Sequence, residues 1–191
     1  NNVFAQRVLK ERDENGIRIL ERFNAHQATV WGMNAEGKAV FSKWFSLQSG
    51  LTVQRSEYKD AVEWDEDAPA EKKFLRTPNV YGYFTMQSSP IKRLSIALSG
   101  NYNGRMLVGH AAGSGVEKPV AVRTPSFFTL SLKASYDFDI YKQVKAQLNA
   151  GIQNIGNVYQ RDLDKGWNRD ASYIYGPSLP RCFYVGLKLM Y

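Results

Sequence analysis

At 191 residues and 21.7 kDa the chain has room for one large domain or two small ones, and 43% hydrophobic with 23% charged residues excludes a disordered tract. Twenty-five Lys and Arg against 18 Asp and Glu give +7 and a pI near 9.4. A single cysteine, Cys182, excludes an internal disulfide framework and a Cys-based zinc site, and no run of 18 apolar residues is long enough for a transmembrane helix. A mean hydropathy of −0.42 suits a soluble protein. It suits a transmembrane β-barrel equally well, because only every second strand residue of such a barrel meets lipid. The opening Asn1-Asn2-Val3-Phe4 has neither an initiator Met nor a signal-peptide pattern, so the expectation is a processed or shortened chain.

In chain order, segments 2–12 and 22–33 read as strands of irregular alternation, separated by the turn Asp13-Glu14-Asn15-Gly16. Asn34-Ala35-Glu36-Gly37 has the composition of a tight turn. The segment 38–56 follows, with Phe45, Leu47, Leu51 and Val53 on one face and Lys43 and Ser49 interrupting it. After a long loop at 57–79, a strand is expected at 80–88 and a tight turn at Ser89-Pro90-Ile91-Lys92. From there the period of two is regular. Segment 93–105 sets Leu94, Ile96, Leu98 and Tyr102 against Ser95, Ser99, Asn101 and Asn103. Segment 124–138 sets Phe128, Leu130, Leu132, Ala134, Tyr136 and Phe138 against Thr129, Ser131, Lys133, Ser135 and Asp137. Segment 143–154 sets Val144, Ala146, Leu148, Ala150 and Ile152 against lysine, glutamines, Asn149 and Gly151. Segment 181–191 sets Phe183, Val185, Leu187, Leu189 and Tyr191 against Cys182, Tyr184, Gly186, Lys188 and Met190.

These eight segments cover over half of the chain, and no helix of useful length competes with them. Tight turns at 34–37, 89–92 and 139–142 alternate with long loops at 57–79, 106–123 and 155–180. A sandwich has no reason to sort its connections in this way, and its strands are shorter. A membrane barrel does, with tight turns on one side and long loops on the other. The expected fold is therefore all-β, with about eight long antiparallel meandering strands forming a barrel wall. Phe183, Val185, Leu187 and Leu189 would meet lipid, Tyr184 and Lys188 the lumen. Tyr102, Tyr136, Phe138 and Tyr191 would stand near the strand ends as an aromatic girdle.

Four ordered stretches carry a resemblance: Glu21-Arg22-Phe23-Asn24-Ala25, Arg76-Thr77-Pro78-Asn79-Val80-Tyr81-Gly82, Leu98-Ser99-Gly100-Asn101-Tyr102-Asn103-Gly104, and the tail beginning NAGIQNIGNVYQRDLDKG at Asn149 and continuing RDASYIYGPSLPR from Arg169. Together they resemble the C-terminal third of TonB-dependent outer-membrane receptors, most of all those of Bacteroidetes, over essentially the whole chain. The resemblance implies that residues 1–191 are the last part of a 22-stranded barrel, without the plug domain, the earlier strands and the TonB-binding segment. It implies an outer-membrane location and active uptake of a scarce ligand of the ferric siderophore, haem or cobalamin type, with no bond-making chemistry and no cofactor. The implied partners are outer-membrane lipid, TonB through the N-terminal region, a small-molecule ligand, and the barrel-insertion machinery through the aromatic-ended strand closing at Tyr191.

The loop 155–180 is the first candidate for ligand contact. Arg161, Trp167, Arg169, Tyr173 and Tyr175 offer cations and aromatic faces that suit anionic chelates or flat ligands. Packing of the same tyrosines against the rim, with Arg169 and Asp170 paired, is the favoured reading because a loop of that length needs internal packing. His110 stands at the base of another outer loop, where ligand contact and loop packing compete and packing is favoured. His26 is the other histidine, and no carboxylate sits near either at a metal-ligand spacing. Glu63-Trp64-Asp65-Glu66-Asp67 has alternate carboxylates of the kind Ca²⁺ uses, but a solvated, self-repelling mobile loop is expected and no metal site is assigned. Arg105 and Arg181, at strand ends, are expected near lipid-head anions. The basic residues are scattered, with no nucleic-acid motif, and nucleotide, nucleophile-elbow and zinc motifs are absent from the sequence.

Two other readings of the same pattern stand beside this one. One is a complete eight-stranded outer-membrane barrel, serving as an anchor, an adhesion protein or a lipid-modifying enzyme. It calls for larger interlocking lumen residues than Gly151, Gly186, Ser99 and Ser131. The other is a soluble lipocalin-like binding module, which predicts apolar residues pointing inward and unsorted loops.

Overall fold

The computed structural model describes residues 3–25, 27–113, 115–141 and 144–190. His26, Tyr191 and Lys142 fall outside these; of the turn expected at 139–142, Asp139, Ile140 and Tyr141 belong instead to the strand Phe127–Tyr141. The strands are β1 (Val3–Arg12), β2 (Arg18–Ala25), β3 (Ala28–Ser42), β4 (Phe45–Val62), β5 (Glu71–Lys73), β6 (Val80–Ser88), β7 (Leu94–Asn103), β8 (Leu107–His110), β9 (Val120–Arg123), β10 (Phe127–Tyr141), β11 (Val144–Gln153) and β12 (Cys182–Met190). No helix occurs among the described residues.

The main sheet is antiparallel, in the order β12-β11-β10-β7-β6-β4-β3, with β5 pairing the far end of β4 as its eighth strand. Its long strands meander through space in the order of the sequence. The pairing register explains why the alternation works across the sheet and not only within each strand. Phe183, Ile152, Leu132, Leu98, Met86, Leu47 and Ala39 are successive partners and form one apolar row across seven strands. Phe128, Tyr102, Gly82, Leu51 and Ala35 form a parallel row nearer the long loops. The opposite face carries Thr129, Asn101, Tyr83, Gly50 and Glu36 in one row.

The apolar face is the uncovered one. Phe183, Val185, Leu187 and Leu189 are 63–77% exposed. A water-soluble monomer does not leave a continuous apolar sheet face of this extent open. The buried side chains gather instead among the long loops, where Val108, Phe127, Tyr173, Thr124 and Gln160 are all nearly inaccessible.

Several sequence expectations are corrected by this register. Asn34-Ala35-Glu36-Gly37 lies inside β3, and the tight turn is at Lys43-Trp44. With the turn there, Met33 faces Val53, Ala35 faces Leu51 and Ala39 faces Leu47, which keeps the apolar rows in step with β6. The polar residues of this stretch acquire partners on the other face: Thr52 donates to Asn34 at 3.2 Å, and the Tyr83 hydroxyl donates to Glu36. Segment 22–33 is divided between β2 and β3. The hairpin β1–β2 is a sheet of its own, outside the wall. The three long loops carry additional structure, with β5 in the first and the hairpin β8–β9 in the second. The sorting of connections holds: the turns after β3, β6 and β10 share one end, and the loops after β4, β7 and β11 share the other. The end strands β3 and β12 are not paired with each other, so the described sheet is open.

Bare glycines in the wall are covered by rings rather than by larger lumen side chains. Tyr184 is the cross-strand partner of Gly151, and a Cβ at Gly151 would lie 2.5 Å from its ring. Phe84 lies over Gly100 in the same manner on the apolar face. Aromatic cover of a glycine pins register without needing bulk from both strands.

Candidate functional site

The three long loops lock together into a cap at one end of the wall. Its centre is His110, the last residue of β8. Its Nε2 lies 2.9 Å from Asp164 Oδ2, and both side chains are 8% exposed. Its ring stacks on Tyr173 with centroids 3.8 Å apart and planes inclined by 9°. The same Asp164 oxygen accepts the Asp170 backbone N–H at 2.9 Å. Asp170 in turn accepts from the Ala111 backbone N–H at 2.8 Å and from the Ser172 hydroxyl at 2.6 Å. Two carboxylates thereby bind the tip of β8 to the loop after β11.

Gln160 is the buried post of that loop. Its amide donates to the Tyr173 carbonyl at 3.1 Å and accepts from the Tyr175 N–H at 2.9 Å. The Tyr173 and Tyr175 hydroxyls both donate to Asp162, at 3.0 and 2.6 Å. Burial acts to raise the Asp162 carboxyl, but the hydrogen bonds from Tyr175 and Tyr173 outweigh it and hold the group below the usual carboxylate value. Burial, followed by the bond to Asp162, pushes the Tyr173 hydroxyl up to about 12 and raises Tyr175 for the same reasons. At neutral pH both phenols are neutral donors and Asp162 is a fixed anion.

Arg76 ties in the first long loop. Its backbone is left-handed (φ 59°), and its N–H bonds to the Leu107 carbonyl at 2.6 Å. That turn aims the guanidinium at the carbonyls of Ile174, at 3.0 Å, and Ser172. One residue therefore touches β8 and the loop after β11.

The acidic run is docked rather than solvated, which corrects the expectation of a mobile loop. Val8 and Trp64 to Glu66 exchange backbone bonds of 3.0 and 3.1 Å, joining the run to β1. Arg7 bridges Glu21 at 2.6 Å and Glu63 at 3.2 Å, Lys10 bridges Asp67 at 3.0 Å, and Arg18 reaches the buried Asp65 at 3.4 Å. The hairpin β1–β2 supplies the cations that the run lacks. No cluster of three metal-ligating side chains occurs among the described residues.

Of the six residues singled out from sequence, His110, Tyr173 and Tyr175 come together. The ring stack and the hydrogen bonds fill their polar groups, so they hold the cap in shape. Arg161, Trp167 and Arg169 lie on its exposed surface, with Trp167 fully accessible. Sequence reasoning missed Gln160, Asp162, Asp164 and Arg76. The spacing Arg161-Asp162-Leu163-Asp164 carries no local signal that its carboxylates face tyrosines and a histidine from elsewhere. Below the cap, Pro177 to Pro180 overhang a concavity of about 650 Å³ on the polar face of the wall, lined by Thr85, Ser99, Ser131, Lys133 and Tyr184. Asn154, itself left-handed (φ 51°), holds this overhang by donating to the Leu179 carbonyl at 3.0 Å.

The fold is thus an open antiparallel wall with one apolar face and a cap of interlocked loops at one end. Among solved structures it is similar to the ferric-catecholate import receptor Fiu from E. coli K12 in its closed form. The TM-score is 0.57 and the identity 18%, over 94% of this chain. The chain spans 22% of that receptor's length. The likeness is one of fold. Comparison with protein-family descriptions and with curated sequences gives no match.

Proposed function

We propose that this chain is the C-terminal wall section of a TonB-dependent outer-membrane receptor, and that its cap forms part of the outer surface that captures a small-molecule ligand for active uptake. The observation that carries this reading is the seven-strand meander, apolar on its open face and polar on the other, with every long loop gathered at one end. Similarity of fold to an import receptor supports it. On this reading residues 1–191 belong to a 22-stranded barrel, and the unpaired outer edges of β3 and β12 meet further strands of it. TonB would act through an N-terminal region, the insertion machinery through the last strand, and lipid against the apolar face. Arg161, Trp167 and Arg169 are the first contacts for a ferric siderophore, haem or cobalamin-type ligand. The role is binding and passage, without catalysis.

Sidedness tests the reading. In a Cys182→Ser background, Trp167→Cys in the cap should react with a membrane-impermeant maleimide on intact cells. Lys92→Cys, in a tight turn, should react only after the outer membrane is permeabilised. Equal labelling of both sites on intact cells, or recovery of the protein outside the membrane fraction, would overturn it.

A further inference from the structure

A second pocket lies apart from the His110 cluster. It opens between the polar side of β4, the end of β7 and the hairpin β8–β9, with a volume of about 140 Å³. Lys73, Arg105 and Arg123 line it, and no carboxylate does. On the β1–β2 hairpin the cations Arg7, Lys10 and Arg18 each have an acid within 3.4 Å. Among the described residues, Lys73, Arg105 and Arg123 have no carboxylate partner. Neutral donors are added by buried Ser56 and by exposed Asn79 in the same lining, and neither side chain is spent in a hydrogen bond. Ser56 shares the strand parity of Thr52 and Gln54, so the floor of the pocket belongs to the polar face.

Lys73, Arg105 and Arg123 are all exposed, so solvent screens their mutual repulsion, while an anion seated among them would be attracted by all three. Guanidinium groups present paired donors that match the two oxygens of a carboxylate or phosphate. We propose that this pocket is an oxyanion subsite, taking a carboxylate or phosphate group from a soluble ligand on the polar side of the wall. The inference deepens the transport reading and rests on it only for the passage of that anion. The affinity of the pocket is a property of the chain itself.

The test is calorimetric titration of the full chain in neutral detergent with inorganic phosphate and with citrate, at constant ionic strength set by chloride. Arg105→Gln/Arg123→Gln should weaken binding by about tenfold or more. Arg105→Lys should retain most of it, and Lys38→Gln/Lys92→Gln, which removes the same charge elsewhere, should change it less than about twofold. Circular dichroism of each variant checks that the sheet is intact. Unaltered phosphate and citrate binding in the Arg105/Arg123 variant, or equal weakening in the Lys38/Lys92 variant, would overturn the subsite. A parallel arm uses vesicles of phosphatidylglycerol in phosphatidylcholine. Binding that depends on Arg105 and Arg123 with vesicles but not with the free anions would assign the charge to lipid headgroups and also overturn it. Loss of uptake with intact anion binding would count against the transport reading alone.

Discussion

Adjacent residues of β12 separate the two faces of the wall cleanly. Leu187 is 63% exposed on the apolar face, beside its register partner Leu148, which is 46% exposed. Gly186 points the other way, and a Cβ placed on it meets no atom within 4 Å. On the proposed reading, an arginine at 187 puts a cation into the hydrocarbon, which costs about 2–4 kcal/mol near the bilayer midplane. An arginine at 186 enters open polar space and should stay within about 0.5 kcal/mol of the parent. The difference is at least about tenfold in the folding equilibrium, between neighbours on one strand. Equilibrium urea titration in phosphatidylcholine vesicles, followed by tryptophan emission, measures it. If Leu187→Arg is no more destabilising than Gly186→Arg, the apolar face does not meet lipid and the barrel-wall reasoning is wrong.

Tyr173, held up to about 12, ties cap stability to pH: a raised value for a neutral acid means that stability is present below its ordinary value of 10.0 and lost as pH rises through about 12. Tyrosinate absorbance against pH should show late ionisation of Tyr173 and Tyr175, and Tyr173→Phe should remove one tyrosine's share of it; ionisation of every tyrosine near the ordinary value would refute the buried Tyr173–Asp162 bond. Gly151→Val drives a methyl-bearing carbon into the Tyr184 ring and should cost about 1–3 kcal/mol in the urea titration. Tyr184→Ala in the same background should recover part of that loss.

The wall was largely legible because its information is local. From Leu94 onward each strand states its own alternation, and pairing simply lays like faces side by side. The exception, Asn34 to Gly37, misleads because turn formers also serve as polar-face residues when cross-strand partners such as Thr52 and Tyr83 are present. The irregular parity before residue 25 has a related cause: β1 and β2 do not span the wall, so nothing imposes its face pattern on them. The cap was less legible. Tyr173 and Tyr175 could be marked as packing residues from loop length, but their partner Asp162 depends on how that one loop folds back on itself, and the His110–Asp164 pair on how two loops meet. The acidic run reads as self-repelling until Arg7, Lys10 and Arg18 are brought to it from more than forty residues away.

That difference in range sets an order of events. Each contact in the long meander joins long strands that are consecutive in the chain, at shorter separations than the cap latches, where Arg76 reaches the Ile174 carbonyl across 98 residues and His110 reaches Asp164 across 54. Closing such distances costs chain entropy that only a preformed wall has already met. The wall therefore assembles hairpin by hairpin, and the loops fasten last. By the same reasoning they unfasten first: the His110–Asp164 and Arg76 latches can open and reclose as one cooperative unit while the ladder beneath stays paired. In hydrogen exchange, amides of Ala111, Asp170 and Ser172 should share a single opening rate, faster than those of β10 and β11.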